Sequence, residues 1–123
     1  MFVIYHNPRC SKSRATLALL RSRGVEPAVV DYLATPLDLD ALRDLHAALG
    51  CPARDMLRSD GPERAALGLD DPDCADSRIL EAIAAHPHLL QRPIVAAGDT
   101  AVIGRPPEAV LALIGAVPEP GTP

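Results

Sequence analysis

Hydrophobic and polar positions along the chain change period several times, and each change marks an element. The opening run Phe2-Val3-Ile4-Tyr5 is short and apolar and reads as a buried strand. His6-Asn7-Pro8-Arg9 breaks it, with Pro8 as the punctuating residue. From Cys10 to Arg23 the residues are good helix formers. Leu17, Leu20 and the neighbouring Ala residues offer an apolar face, and Gly24 is a natural stop. Ala28-Val29-Val30 reads as a second strand that ends near Asp31-Tyr32. A strand, a helix of about four turns and a strand make a βαβ unit. Its strands are expected to be parallel and joined by a right-handed crossover.

Thr35-Pro36-Leu37-Asp38 is a turn, and Asp38 can cap a helix that runs to Leu49. Leu39, Leu42, Leu45 and Leu49 are spaced for one face of that helix, and Gly50 stops it. Short helical pieces follow at Pro52–Leu57, Pro62–Leu67 and Ser77–Ala85, separated by Gly68, Pro72 and Pro87. After Pro93, Ile94-Val95-Ala96-Ala97 and Thr100-Ala101-Val102-Ile103 flank Gly98-Asp99, the pattern of a tight antiparallel hairpin. Pro106-Pro107-Glu108 opens a last helix to Ile114. The order is βαβ, a helical insertion, then ββα. The fold class is therefore α/β, a mixed four-stranded sheet with helices on both faces, which is the thioredoxin-like arrangement with an insertion between its halves. Residues 1–116 read as one domain, and 117–123 as a loose Pro- and Gly-rich tail.

Composition narrows the function. Twelve basic against sixteen acidic side chains give a net charge of −4, which speaks against a nucleic-acid footprint. Phe2, Tyr5 and Tyr32 are the only aromatics and supply no stacking platform for single strands. No apolar run approaches the ~18 residues of a membrane span. The three cysteines cannot all pair, and no secretory leader pattern is present, so the expected compartment is the reducing cytoplasm. Eleven of the twelve basic residues are Arg, whose planar forks grip oxyanions in a way Lys cannot.

The chemistry gathers on Cys10, at the junction of the first strand and first helix. A thiolate there meets unpaired backbone N–H groups and the positive end of the helix dipole. His6, Arg9, Lys12 and Arg14 add positive or donating groups, and Ser11 and Ser13 can donate to sulfur or to a bound anion. Cysteine is also among the most buried residue types. Polar and cationic neighbours nevertheless suit a reactive thiol better than an inert one. The same N–H groups form an anion site. Thiolate and oxyanion can share it only if distant cations converge, and the candidates are Arg92 before Pro93, Arg105 after the hairpin and Arg58 in the insertion.

Spacing disposes of two other chemistries. A cysteine-phosphatase loop would need Arg where Thr16 stands, and a dithiol motif would need Cys where Ser13 stands. An oxidised or adducted Cys10 must therefore be resolved by another molecule or a remote cysteine. Cys51 lies by a helix end and Cys74 beside the acidic stretch Asp70-Asp71-Pro72-Asp73, and both read as structural or incidental. His86 and His88 flank Pro87 without further ligands at zinc spacing, His46 is a polar position on the second helix, and no metal site is expected.

Tyr5-His6-Asn7-Pro8-Arg9-Cys10-Ser11-Lys12-Ser13-Arg14 resembles the nucleophile loop of the glutaredoxin-coupled, ArsC-like arsenate reductases. The likeness continues through Glu26-Pro27, Tyr32-Leu33-Ala34-Thr35-Pro36, Met56-Leu57-Arg58, Leu67-Gly68-Leu69, Arg92-Pro93-Ile94-Val95 and Gly104-Arg105-Pro106-Pro107-Glu108. The Cys-Ser-Lys-Ser-Arg loop resembles the family's shorter branch. The resemblance implies a thioredoxin-like fold, a cis peptide before Pro93, and a substrate site of Cys10 with Arg58, Arg92 and Arg105. It also gives His6 a part in lowering the thiol pKa and places the Ser13 hydroxyl near the nucleophile.

The activity so implied is reduction of arsenate to arsenite through an adduct on one cysteine. Glutathione is the co-substrate, glutaredoxin the partner, and no bound cofactor is needed. Two rivals remain at this stage. One is a glutathione-linked thiol oxidoreductase with another substrate. The other is a non-enzymatic redox or stress regulator that binds a protein partner, against which the absence of Cys-x-x-Cys counts.

Overall fold

The computed structural model describes residues 2–58 and 62–116. The expected tail, 117–123, lies outside the described residues. Strands β1 (Phe2–His6), β2 (Ala28–Asp31), β3 (Ile94–Ala97) and β4 (Thr100–Ile103) form one sheet in the order β2-β1-β3-β4. β1 and β2 are parallel, with Val3 opposite Ala28, as the βαβ reading requires. β3 runs antiparallel to both β1 and β4. Gly98, at φ +60°, takes the left-handed turn position between β3 and β4, and the two-residue loop sets Ala97 opposite Thr100.

Helix α1 (Ser11–Ser22) crosses from β1 to β2. Helices α2 (Leu39–Leu49), α3 (Pro62–Ala66) and α4 (Asp76–Ala85) form the insertion, and α5 (Leu111–Ala116) closes the chain of described elements. Pleat alternation divides the core. On β3, Ile94 turns to one face and Val95 to the other; on β1, Tyr5 and Ile4 divide likewise. Ile4, Leu20, Val95, Val110 and Leu113 pack α1 and α5 on one face. Leu42, Leu45, Met56, Ile79, Ile83 and Ile94 pack the insertion on the other. The sheet is thus a mixed four-stranded one with helices on both faces.

Helix α2 follows its sequence cues: Asp38 accepts from the Ala41 N–H at 2.8 Å, and Gly50 ends it at φ +64°. Two expectations need correcting. The buried side of α1 is Ser13, Thr16 and Leu20 with Leu17 beside them, whereas Ala15 and Ala18 face solvent. Small apolar residues tolerate either face, so the polar residues that make specific hydrogen bonds decide the orientation. The last helix does not start at once after Pro106. A 3₁₀ turn at Pro107–Val110 precedes α5, a tightening common at helix N-termini. The peptide before Pro93 is cis, and so is that before Pro106, which the sequence did not suggest. Among the described residues, no helix is long and apolar enough to cross a membrane.

Candidate active site

β1 ends at His6 and α1 begins at Ser11, so Cys10 occupies the N-cap in an extended conformation. Its N–H donates to the Asn7 carbonyl and its carbonyl accepts from the Arg14 N–H, each at 3.0 Å. The sulfur closes no conventional side-chain cap, yet the N–H groups of Ser13 and Lys12 face it and favour the anion. The first turn of α1 carries no acidic residue, so its positive end is left to the thiolate. Burial alone would push the Cys10 thiol up. Those two N–H groups, with the charges of Arg92 and Arg105, outweigh it and bring the thiol below the ordinary cysteine range. Cys51 is the contrast: burial and the Asp55 carboxylate push its thiol up.

Two arginines from the far half of the chain act on the sulfur, Arg105 by contact and Arg92 through its charge. Arg105 Nη2 lies 3.8 Å from Cys10 Sγ. Its Nε donates to the Arg92 carbonyl at 2.7 Å, which fixes the plane of the guanidinium. Arg92 enters just before β3; its Nε is buried with no hydrogen-bond partner, and its charge acts on the thiol. Arg58 arrives by another route. Leu57 and Leu90 form an isolated antiparallel bridge. The Arg58 N–H donates to the Leu89 carbonyl at 2.9 Å, and the Gln91 N–H to the Met56 carbonyl at 2.6 Å. This stitch ties the insertion to the segment that carries Arg92.

The charges of Arg92, Arg58 and Cys10 all act on the hydroxyl of Tyr32, which is 1% exposed. Burial raises the Tyr32 pKa, with Arg92, the Asn7 side chain and Arg58 opposing it, so the phenol stays protonated at neutral pH. The sequence singled out neither Tyr32 nor Asn7 as a site residue. Asn7 holds the loop together. Its Oδ1 accepts from the Arg9 N–H at 3.0 Å, its carbonyl accepts from Cys10, and its N–H donates to Ser13 Oγ at 3.0 Å. The signal was present in the Asn-Pro pair between strand and helix, since Asn readily bonds the backbone two residues on.

Two site expectations change in kind. Ser13 was expected to offer its hydroxyl to substrate. That side chain is wholly buried and bonded to His6 Nδ1 at 2.6 Å, so what Ser13 gives the sulfur is its backbone N–H. His6 was expected to help lower the thiol pKa, by positive charge or by donation. Its ring is buried against Ser13, and burial lowers its pKa, with Asp31 opposing and Arg14 and Arg21 adding to the effect. His6 is therefore neutral at neutral pH and supports the loop through Ser13. Of the outer cations, Arg14 donates to the Pro8 carbonyl at 2.9 Å and clasps the loop, while Arg9 and Lys12 stand exposed at its rim. The result is a thiol of lowered pKa at a helix mouth, with the Arg105 guanidinium against it and the Arg92 charge acting on it. That arrangement suits attack on the central atom of a small oxyanion.

Residues 5–113 match the model of the ArsC family. The chain is 50% identical over 112 residues to an arsenate reductase of Neisseria meningitidis serogroup A, covering 90% of this chain and 96% of that protein. It is equally close, at 50% over 113 residues, to YfgD of Escherichia coli K12, an uncharacterised protein, covering 91% and 95%. The solved arsenate reductase from Vibrio cholerae superposes with a TM-score of 0.86 at 45% identity, covering 90% of this chain and 95% of that one. The matched stretch spans both the loop of Cys10 and the hairpin exit of Arg105, and on that footing the chain belongs to the ArsC family.

Proposed function

We propose that the protein is an arsenate reductase that works through Cys10 with glutathione and glutaredoxin. The observation that carries this reading is the Arg105 guanidinium 3.8 Å from the Cys10 sulfur, with Arg92 charge on the same thiol. An arsenate ion between them would be held by Arg92 and Arg105, with Arg58 closing the site from the insertion. The Cys10 thiolate attacks arsenic, a sulfur–arsenic bond forms, and one oxygen leaves as water after protonation. Guanidinium groups stabilise the charge that develops on the remaining oxygens. Glutathione then displaces a second oxygen as water and bonds to arsenic. The glutaredoxin thiol attacks the glutathione sulfur, forming a disulfide and leaving the bonding pair on arsenic, and water cleaves the sulfur–arsenic bond to free arsenite and the Cys10 thiol. Overall, arsenic gains two electrons, two thiols become one disulfide, and one water is released.

His6 and Ser13 keep the loop in the shape that points two N–H groups at sulfur. No bound prosthetic group is required, and a reducing cytoplasm would supply the glutathione. The test is arsenite release by purified protein with glutathione and glutaredoxin, set against Cys10→Ser. Turnover that needs all three components and vanishes in Cys10→Ser supports the reading. Full activity in Cys10→Ser would refute it. A Cys10–glutathione disulfide resolved by glutaredoxin, with no arsenate turnover, would assign the same thiol to another substrate.

A further inference from the structure

Gly104 sits where the three parts of the site meet. A Cβ built there would come within 2.9 Å of the Pro93 ring, 2.9 Å of Thr16 Oγ1 and 3.2 Å of Thr16 Cγ2. These neighbours have little room to retreat. The Pro93 ring is covalently fixed and buried, and Thr16 is wholly buried, its hydroxyl donating to the Lys12 carbonyl at 2.8 Å. Gly104 itself donates its N–H to the Pro93 carbonyl at 2.9 Å. No left-handed backbone is involved, since Gly104 is not among the glycines at positive φ. The need at this position is for space.

Each of the three contacting segments delivers one member of the site. Thr16 lies on α1, whose N-cap is Cys10. Pro93 follows Arg92, and Gly104 precedes Arg105. We propose that Gly104 is a positioning residue: its missing side chain lets the exit of β4 close against α1 and Pro93, and that closure sets the distance between the Arg105 guanidinium and the Cys10 sulfur. The inference deepens the reading of Cys10 as the nucleophile but does not depend on arsenate as its substrate.

The experiment is a double-mutant cycle read on the thiol. The Cys10 titration is followed by thiolate absorbance in wild type, Gly104→Ala, Arg105→Ala and the double variant. Cys51→Ser and Cys74→Ser are present throughout, so that one sulfur reports. A methyl at 104 that moves Arg105 away raises the titration midpoint by about one pH unit. In the Arg105→Ala background the same methyl can act only through Arg92, whose neighbour Pro93 it presses on, so Gly104→Ala adds less there. An equal rise in both backgrounds, or no rise in either, would overturn the proposal. If Gly104→Ala fails to fold, the Thr16→Ala, Gly104→Ala pair removes two of the three close contacts and enters the same cycle. Failure of that pair to fold as well would show that the contact serves the fold alone, and would equally overturn it. Arsenite release plays no part in this readout, so failure of the substrate assignment and failure of this inference are separate outcomes.

Discussion

Arg105 and Cys10 are 95 positions apart in the chain, yet a guanidinium nitrogen of one stands 3.8 Å from the sulfur of the other. The second anchor of that guanidinium is the carbonyl of Arg92. One arginine therefore both reaches the thiol and ties down the segment bearing its companion. The two halves of the sheet meet functionally at this point: the βαβ half supplies the nucleophile and the hairpin half supplies the countercharge.

Removing that countercharge has a direct consequence. In Arg105→Ala the thiol loses an opposite charge at contact distance, and its titration midpoint rises. Thiolate absorbance across a pH series measures the shift. If the proposed arsenate chemistry holds, kcat/KM falls by about 10²–10³-fold as well, the loss expected when one oxyanion donor is removed. Arg105→Lys keeps the charge but not the fork, so it restores the thiol midpoint better than it restores turnover. Equal restoration of both would show that charge alone is what Arg105 contributes.

The cysteines are expected to react in a fixed order. Helix N–H groups and Arg92 and Arg105 lower the Cys10 thiol against the cost of burial, whereas burial and Asp55 raise that of Cys51. At neutral pH a limiting amount of iodoacetamide should modify Cys10 well before Cys51, because the thiolate is the reacting form. Peptide mass spectrometry after digestion reads the order. Prior labelling of Cys51 would contradict the electrostatics of the site.

The hydrophobic pattern made most of the fold legible. The Phe2-Val3-Ile4-Tyr5 run, the leucines of α2 with Asp38 and Gly50 at its ends, and the Gly98-Asp99 hairpin all stand where local rules put them. The positions of Cys10, Arg92 and Arg105 were legible for a related reason. Residues at the mouth of a βα junction and beside the facing turn converge once the sheet order is known. What stayed hidden was which polar groups would be buried. Ser13 and Thr16 carry no hydrophobic signal, yet they are fully covered because His6 and Lys12 supply partners inside the fold. A periodicity argument counts them as surface and turns α1 toward its alanines. Tyr32 escaped for the opposite reason, since its ring reads as core and only three-dimensional contact reveals the charges around its hydroxyl.

His6 should make stability fall on mild acidification. Burial holds its folded pKa below the ordinary value, with Asp31 opposing and Arg14 and Arg21 reinforcing the shift. In the unfolded chain it titrates near about 6.5. The unfolded state then takes up the proton first, so the contribution is full above about 6.5 and is lost as pH falls toward and through the folded pKa. Urea midpoints compared between about pH 7.5 and about pH 5.5 should decline in the wild type and decline less in His6→Gln. Parallel slopes for the two proteins would show that another group governs this window.

Ser13→Ala tests whether the hydroxyl is a structural clasp or a substrate ligand. The change strands the buried His6 Nδ1 and removes the acceptor of the half-buried Asn7 N–H. Leaving such a group unsatisfied costs about 1–3 kcal/mol. By comparison, Asp38→Ala removes the exposed N-cap of α2 at a cost of about 1 kcal/mol. The two variants should separate on chemistry. Ser13→Ala loosens the loop that aims its own N–H and that of Lys12 at sulfur, so the Cys10 midpoint rises along with the loss of stability. Asp38→Ala loses stability and leaves the thiol where it was, because nothing in α2 touches the nucleophile loop through that cap. Denaturant melts paired with thiol titrations decide the matter. A Ser13→Ala protein of undiminished stability would mean that the hydroxyl faces a ligand after all.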